Sequence, residues 1–444
     1  MMGKLEKQVK DYKCKDIEYI YHEDFNNFQT LYDRDLQLFI IWPKARFKEK
    51  EIIKELNNSF NILGCMELLW TKENIDDNFH RIYDVAPTGG VAGKRSEVGD
   101  GASIVVVLED LIPNYQYRFD ASLRCKIVNS NIVDKKIQFR QLLGGGHTVH
   151  STDNLNEFFN NSILLFGRVK TFDLLERNKW DGNIENYPSD LIGANGWASV
   201  DELFDVLNLT TQYVVLRSSE TIVATVEDLS GDVDILCSNI GEFAAVANAR
   251  NIWNSKNFFH VKIKGKDVLF DIRYVGDEYF DKDWQNNIIK NRVLTENNIY
   301  IPRADDHFFT HLYHACIHKP FIYEKYVAKL EKLAKSIGIE RLNDSCQNDK
   351  NYIIRLLKGY LLANKYKLSI PNDDNVYINI AFMSKLQKIS KTKLFIRLRF
   401  AKLKNMPAKT MSALKVKIKR NKPLFNLLFS LRAYLYKFSK NKNL

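Results

Sequence analysis

An acidic strand in the middle of the chain constrains the fold more than any other feature. Residues 231–236 read Gly-Asp-Val-Asp-Ile-Leu, so Asp232 and Asp234 flank a single apolar residue. Side chains on a β-strand alternate between its two faces, and these two carboxylates therefore project from the same face. Carboxylates that lie this close repel each other unless a cation is held between them. The sequence therefore predicts a divalent-cation site on this strand.

A third carboxylate follows on a later strand. Around the acidic strand we expect a buried strand at 213–216, a polar connection at 217–230, a helix at 241–253 and a β-hairpin at 258–273. The hairpin turn contains Gly265 and is two residues long or slightly longer, which places Asp271 inside the second strand. Asp271 is therefore expected to join the pair.

This order of strand, acidic strand, helix and further Asp-bearing strand resembles the nucleotidyltransferase superfamily, whose members hold Mg²⁺ on three such carboxylates. The resemblance covers roughly residues 201–320. It implies an α/β domain in which Asp232, Asp234 and Asp271 are catalytic and bind Mg²⁺ or Mn²⁺. Choline-phosphate and fukutin-related transferases look similar, and they transfer phospho-alcohols from CDP-activated donors.

One departure from that family concerns the phosphate contacts. The family has a Gly-Gly or Gly-Ser pair after its first strand, where this chain has Arg217 followed by two serines and a glutamate. We therefore expect Arg217 to contact substrate phosphate in another way, because a guanidinium can donate two parallel hydrogen bonds to phosphate oxygens. We assign Arg273, two residues after Asp271, to the same role.

A histidine-rich helix follows the expected metal site. Residues 305–319 are expected to be helical, and His311, His314 and His318 share one face because they are spaced i, i+3 and i+7. One interpretation is that these are ordinary buried, hydrogen-bonded histidines. The other is that His314, His318 and Lys319 face the carboxylates and contact substrate phosphate. The segment also resembles uncharacterised proteins of bacterial surface-polysaccharide clusters.

The N-terminal part predicts an α+β domain with a second motif at its end. Strands are expected at 38–41, 62–70 and 104–109, with a helix around Ile52. Residues 144–154 then read Gly-Gly-Gly-His-Thr-Val-His-Ser-Thr-Asp-Asn and lead into a helix that contains Glu157.

Residues 38–167 resemble a nucleoside diphosphate kinase in their order of elements. The resemblance implies a ferredoxin-like fold in which His150 is the phosphate-accepting nucleophile. The cations available to neutralise phosphate are Lys94, Arg95, Arg124, Lys135 and Arg140. Two family residues differ, because Trp42 replaces a lysine and His147 replaces an asparagine. An inactive nucleotide-binding or scaffolding domain is therefore the alternative to phosphohistidine chemistry.

Charge separates the C-terminal tail from the rest of the chain. Residues 385–444 hold 14 Lys and 4 Arg with no Asp or Glu, so the tail has a formal charge of +18. The net charge of the whole chain is +11, so the residues before the tail sum to −7. Basic residues alternate there with Phe, Leu and Tyr, as in amphipathic helices that bind anionic membranes. The apolar faces are too continuous for an arm that only follows phosphates, and this favours a membrane over nucleic acid.

The expected cellular location follows from three kinds of segment that the sequence does not show. No apolar run approaches about eighteen residues, and the first ten residues are too polar for a signal peptide. Six scattered cysteines without CxxC spacing argue against a zinc module or a disulfide framework. We therefore expect a cytoplasmic protein bound peripherally at the inner face of the membrane.

These observations predict an α+β multidomain protein. The expected segments are an extension (1–36), the kinase-like domain (37–168), a linker (169–199), the nucleotidyltransferase-like domain (200–322), a helical region (323–384) and the basic tail (385–444).

Three functions are open. The first is a Mg²⁺-dependent transferase of bacterial capsule or lipopolysaccharide biosynthesis that moves a nucleotidyl or phospho-polyol group from a nucleotide-activated donor to a saccharide acceptor, which could be lipid-linked. The second is a phosphotransferase that works through a phosphohistidine at His150. The third is a non-catalytic, nucleotide-binding assembly protein.

Overall fold

The protein is α+β, as expected, with mixed sheets. The structure is a computed structural model that describes residues 34–84, 93–119, 125–217, 219–253, 255–339 and 350–387. These described residues form two compact units. One comprises the described residues up to Tyr274 together with Ile289–Pro302, and the other comprises Val275–Ile288 and the described residues from Arg303 onward.

The first sheet is built from the N-terminal strands. In chain order they are β1 (Asp35–Ile41), β2 (Asn61–Leu68), β3 (Ser103–Asp110), β4 (Tyr115–Phe119), β5 (Cys125–Asn129), β6 (Val149–Ser151) and β7 (Ile184–Tyr187). The sheet order is β6-β1-β3-β2-β7, while β4 and β5 pair separately as a hairpin. Neighbours among β6, β1, β3 and β2 are antiparallel, and β7 adds in parallel to β2. Because β1 lies inside the sheet, every one of its residues is buried.

Five helices accompany this sheet: α1 (Glu49–Ser59), α2 (Ile75–Ile82), α3 (Lys94–Val98), α4 (Ser130–Leu142) and α5 (Leu155–Leu175). Of these, α1, α4 and α5 pack against its strands. In α1 the buried residues Ile52, Ile53 and Leu56 recur at helical spacing and belong to the core cluster with β1 and β3. The strands and the helix predicted for this region are confirmed.

The segment 169–199, which we expected to be an irregular linker, is partly regular. Its first residues complete α5, and β7 extends the first sheet. Glu185 of β7 accepts hydrogen bonds from Lys170 and Arg177, at 2.5 Å each. The pairing of β7 with β2 joins segments that are distant in sequence, so local composition alone did not reveal it.

The second sheet carries the acidic strand. Its elements, in chain order, are α6 (Val200–Thr210), β8 (Tyr213–Arg217), α7 (Ile222–Asp228), β9 (Val233–Cys237), α8 (Ile240–Val246), β10 (Arg250–Asn251), β11 (Phe258–Ile263) and β12 (Lys266–Tyr274). The order is β10-β11-β12-β9-β8, with β9 antiparallel to β8 and parallel to β12. The predicted strands and hairpin are confirmed, and the turn is two residues long because Ile263 pairs with Lys266.

Two predictions in this region are wrong in detail. The helix expected at 241–253 ends at Val246, because Asn248 adopts a left-handed conformation (φ 51°) and residues 250–251 pair with β11 as an edge strand. The connection at 217–230 contains α7, whose residues Ile222 and Val226 are buried. An apolar stripe of two residues is too short to stand out in the sequence.

The second unit is helical. It contains most of α9 (Lys282–Lys290), while β13 (Val293–Leu294) and β14 (Tyr300–Ile301) belong to the first unit. The later helices are α10 (Ala304–Ile317), α11 (Glu324–Ser336), α12 (Lys350–Ala363) and α13 (Ile380–Gln387). The helix predicted at 305–319 is confirmed, and the region predicted to be helical, 323–384, contains α11, α12 and most of α13.

The tail expected at 385–444 lies outside the described residues from residue 388 onward. In the part of the chain that the structure describes, no helix combines the length and the apolar character that crossing a membrane requires.

Candidate metal centre

Strand register brings the acidic residues together. Asp234 lies on β9 between two neighbours, opposite Asp271 of β12 on one side and opposite Arg217 of β8 on the other. An irregularity between Val215 and Arg217 sets the second pairing. Side chains of residues that pair across adjacent strands project from the same face of a sheet. Arg217, Asp234 and Asp271 therefore form a row across it.

Asp232 completes the group from just before β9. Ligand oxygens of Asp232, Asp234 and Asp271 all lie within 4.8 Å of one another. Asp234 and Asp271 are buried, whereas Asp232 is half-buried. The prediction that these three carboxylates converge is confirmed.

Two arginines pair with the buried carboxylates. Arg217 donates from Nε to Asp234 Oδ2 at 2.9 Å and from Nη2 to Oδ1 of the same group. Arg273 donates from Nη2 to Asp271 Oδ2 at 2.9 Å. Three carboxylates and two guanidiniums leave a formal charge of −1, so a divalent cation would reverse the sign of the cluster. The expected contact of either arginine with substrate phosphate stays a prediction.

Asp271 has the strongest features of a metal ligand. Burial raises the pKa of this carboxyl to about 6; the charge of Arg273 opposes the rise, and that of Asp234 adds to it. Arg273 Nε lies 2.9 Å from Asp271 Oδ1 as an ion pair but without hydrogen-bond geometry, and this buried oxygen accepts no hydrogen bond from the described residues. Buried oxygens without a donor are costly.

The donor set suits a hard divalent cation. Mg²⁺ and Mn²⁺ prefer carboxylate oxygens, and a cation bound at Asp271 Oδ1 would satisfy the atom that the protein leaves without a hydrogen bond. The residues present therefore fit the Mg²⁺ or Mn²⁺ that the sequence predicted.

His150 lies at a separate place in the same unit. It is on β6 opposite Ile40, is 7% exposed, and packs edge-to-face on Tyr83 with ring centroids 5.1 Å apart. Its Nε2 is 3.4 Å from Asn161 Nδ2 and 3.7 Å from Glu157 Oε1. Burial, and after it the charge of Lys136, lowers the pKa of His150 to about 3. The imidazole is therefore neutral near neutral pH.

Some of the predicted cations surround this imidazole. Arg140 donates from Nε and Nη2 to the carbonyl of Val149 at 3.1 and 3.0 Å. The ammonium of Lys94 lies 5.1 Å from the centre of the Tyr83 ring. The charges of Arg140 and Lys94 both lower the pKa of His150, as does Lys136, which sequence reasoning missed.

The other expected members of the His150 site have partners of their own. Lys135 lies 3.4 Å from Glu55, and Arg95 lies 2.9 Å from Asp100. The backbone N–H of His147 donates to Glu97 at 3.1 Å. Arg124 lies outside the described residues.

The histidines of α10 are buried in the second unit. His314 Nδ1 is 2.7 Å from the hydroxyl of Tyr279, and its Nε2 is 3.2 Å from that of Tyr326. The His318 ring centre lies 4.2 Å from that of Tyr279. These contacts match the interpretation of buried, hydrogen-bonded histidines. A phosphate contact of His314, His318 or Lys319 stays a prediction.

Comparison of the chain with protein-family models, with curated proteins and with solved structures finds no match.

Proposed function

We propose that this chain is a transferase that uses Mg²⁺ or Mn²⁺ to move a nucleotidyl or phospho-polyol group from a nucleotide-activated donor to a saccharide acceptor in bacterial capsule or lipopolysaccharide biosynthesis. The observation that carries the proposal is the convergence of Asp232, Asp234 and Asp271 to within 4.8 Å. The same order of elements underlies the resemblance to nucleotidyltransferases.

Asp232, Asp234 and Asp271 would hold the metal, which when bound supplies positive charge to the phosphate that is transferred. The chain's own part is to position groups and neutralise charge. Arg217 and Arg273 lie on the carboxylates, so their guanidiniums would place positive charge beside a bound phosphate. Because the pKa of Asp271 is about 6, this group is largely ionised and able to ligate at neutral pH.

The acceptor we propose is a saccharide at the inner leaflet, either free or lipid-linked. The basic tail supports this choice, because it would hold the enzyme beside a membrane-bound acceptor.

Calorimetric titration tests the proposal. The full chain is titrated with CTP, CDP-alcohols, ATP and UDP-sugars with and without Mg²⁺, and turnover of each bound donor is followed. We expect Mg²⁺-dependent binding of one donor class, and we expect Asp232→Asn to abolish its turnover while the fold stays intact, because Asp232 is only half-buried. The matched control is Asp267→Asn, an exposed aspartate on β12.

Retained turnover in Asp232→Asn would contradict the proposal. Binding of a donor without turnover of any member of the panel would favour the third function, a nucleotide-binding assembly protein.

A second candidate function is supported by the grouping of Lys94, Lys136 and Arg140 around a neutral imidazole. The antiparallel order β6-β1-β3-β2 also supports a ferredoxin-like, kinase-like assignment for residues 37–168. In this function a ring nitrogen of His150 attacks the γ-phosphorus of a nucleoside triphosphate, the bond to the β-phosphate oxygen breaks, and the diphosphate leaves. The phosphoryl group then passes to an acceptor.

Incubation with γ-labelled ATP or GTP distinguishes this second function from the first. Acid-labile label that disappears in His150→Ala but persists in His147→Ala would support it. No label on the wild-type chain would support a scaffolding role for the domain.

A further inference from the structure

An aromatic pair, one exposed ring and one half-buried ring, lies beside the carboxylate row. Trp253 is 71% exposed, and its ring packs edge-to-face on Phe258 with centroids 5.6 Å apart. Phe258 is the direct partner of Asp271 in the β11–β12 pairing. In antiparallel pairs the Cβ atoms of such partners are about 5 Å apart on the same face. The aromatic pair therefore continues the row that contains Asp271, Asp234 and Arg217.

Burial alternates along β11, and this supports the orientation of Phe258. Phe259, Val261 and Ile263 are buried in the core, whereas Phe258 is only half-buried and projects to the opposite face. The row across the sheet thus begins with aromatic rings, continues with the carboxylates of Asp271 and Asp234, and ends with the guanidinium of Arg217.

The backbone of Trp253 is in an unusual conformation. Its φ is 57°, in the left-handed region that bulky residues rarely adopt. Hydrogen bonds hold the surrounding loop, from Ile252 N to Phe258 O at 3.1 Å and from Ser255 N to Ile252 O at 3.0 Å. Strained residues of this kind concentrate at ligand-binding sites. Here the strain presents a large indole to solvent next to a charged site.

We propose that Trp253 and Phe258 bind the nucleobase of the donor by stacking. This inference rests on the proposed function and adds that the donor must carry an intact base. A nucleotide joins an aromatic base to phosphates through a ribose, and the row joins aromatic rings to metal ligands and a guanidinium in the same order. Because every base has a π face, the pair selects nucleotides as a class and not one particular base.

Binding measurements on the full chain with Mg²⁺ test the inference. The probes are CDP, UDP, ADP and GDP, with inorganic pyrophosphate as the base-free probe and glucose 1-phosphate as the saccharide probe. We expect Trp253→Ala to weaken the tightest nucleoside diphosphate by about tenfold or more, since stacking on an aromatic side chain is worth that much per base. Pyrophosphate affinity should stay within about twofold of wild type, because pyrophosphate has no base to stack.

Two further variants separate stacking from structure. Trp253→Phe keeps an aromatic face and should retain most of the nucleotide affinity. Phe47→Ala removes a ring that is 73% exposed elsewhere and should change nothing.

Unchanged nucleotide affinity in Trp253→Ala would overturn the inference, as would a parallel loss of pyrophosphate binding, which would make the residue structural. Loss confined to glucose 1-phosphate would make the pair a saccharide surface instead. If the wild-type chain binds pyrophosphate as tightly as any nucleoside diphosphate, base stacking is wrong but the proposed metal centre is still supported. If the wild-type chain binds none of the probes, both base stacking and the proposed function are wrong.

Discussion

Glu157 and His150 share a buried site that shifts the pKa of each group in the direction that favours its neutral form. Burial raises the pKa of Glu157 from 4.5 to about 7, and the nearby charge of Asp153 adds to the rise. A carboxyl whose pKa is raised by folding stabilises the fold fully below its unfolded pKa, and that contribution is lost as the pH rises through the folded value. Glu157 should therefore weaken the fold between pH 4.5 and about 7.

We expect Glu157→Gln to be more stable than wild type at pH 8 by about 1–2 kcal/mol. The full pKa shift of Glu157 corresponds to a larger free energy, but 24% of this side chain is exposed, and solvent reduces the cost of its charge. Near pH 5 the difference should be small. The glutamine amide oxygen would be able to keep accepting the hydrogen bond that Asp153 N donates at 2.7 Å. Urea unfolding at pH 5 and pH 8 measures the difference in the free energy of unfolding between Glu157→Gln and wild type, and Glu51→Gln, at an exposed position, is the control. An equal difference at the two pH values would contradict the raised pKa of Glu157.

The three converging carboxylates were predictable from the sequence, whereas their ion pairs were not. The period of two places Asp232 and Asp234 on one face, and the Lys264-Gly265 turn fixes Asp271 in the second hairpin strand. The same turn sets the pairing of Phe258 with Asp271, a signal that sequence reasoning left unused. The fork of Arg217 on Asp234 depends on the irregularity in β8, and no local pattern marks it.

Arg81 joins the helix α2 to the end of the helix α8. This fully buried guanidinium donates from Nε to the carbonyl of Ala245 at 2.8 Å and from Nη2 to those of Val246 and Ile192, at 3.0 and 2.6 Å. Carbonyls at the C-terminal end of a helix lack helical partners and carry partial negative charge. Arg81 supplies both the donors and the charge they require.

We expect Arg81→Met to lower the free energy of unfolding by about 3 kcal/mol or more, because buried carbonyls would lose the hydrogen bonds that the guanidinium donates. Arg250→Met provides the control, since Arg250 pairs with Asp77 at the surface and should cost less than about 1 kcal/mol. Denaturant unfolding measures both variants. Similar losses in the two would show that Arg81 has no special role.

Arg81 also shows why the end of α8 was missed in the sequence. Periodicity predicted a helix to residue 253, but the side chain that satisfies its last carbonyls comes from about 160 residues earlier in the chain. Strands and helices with their own apolar pattern, such as β1 and α1, needed no such distant partner and were predicted correctly.

Local patterns in the sequence predicted two domains at 37–168 and 200–322, and these bounds stay a prediction. In the structure both sheets lie in one compact unit, and the other unit begins after Tyr274. Contacts such as that of Arg81 with Ala245 connect the two sheets' helices, and a sequence shows composition changes but not such contacts.

The charge separation along the chain leads to a prediction about the tail. Each Lys or Arg near an anionic bilayer contributes about 1 kcal/mol, so engagement of a third of the tail's 18 cations would bind the protein. Leu386 is buried in α13, so the cut belongs after Gln387. We expect that truncated protein to stay folded and to lose cosedimentation with anionic liposomes. Undiminished binding, or a preference of the full chain for RNA at physiological salt, would contradict the membrane assignment.

We propose that Asp232, Asp234 and Asp271 hold one divalent cation, and Mn²⁺ binding followed by electron paramagnetic resonance tests this most directly. We expect the full chain to bind one Mn²⁺ at this site, and Asp232→Asn and Asp271→Asn each to weaken that binding at least about tenfold, because each removes a charged ligand. Asp267→Asn, on the same strand as Asp271, should bind like wild type. Wild-type Mn²⁺ affinity in both Asp232→Asn and Asp271→Asn would contradict the account.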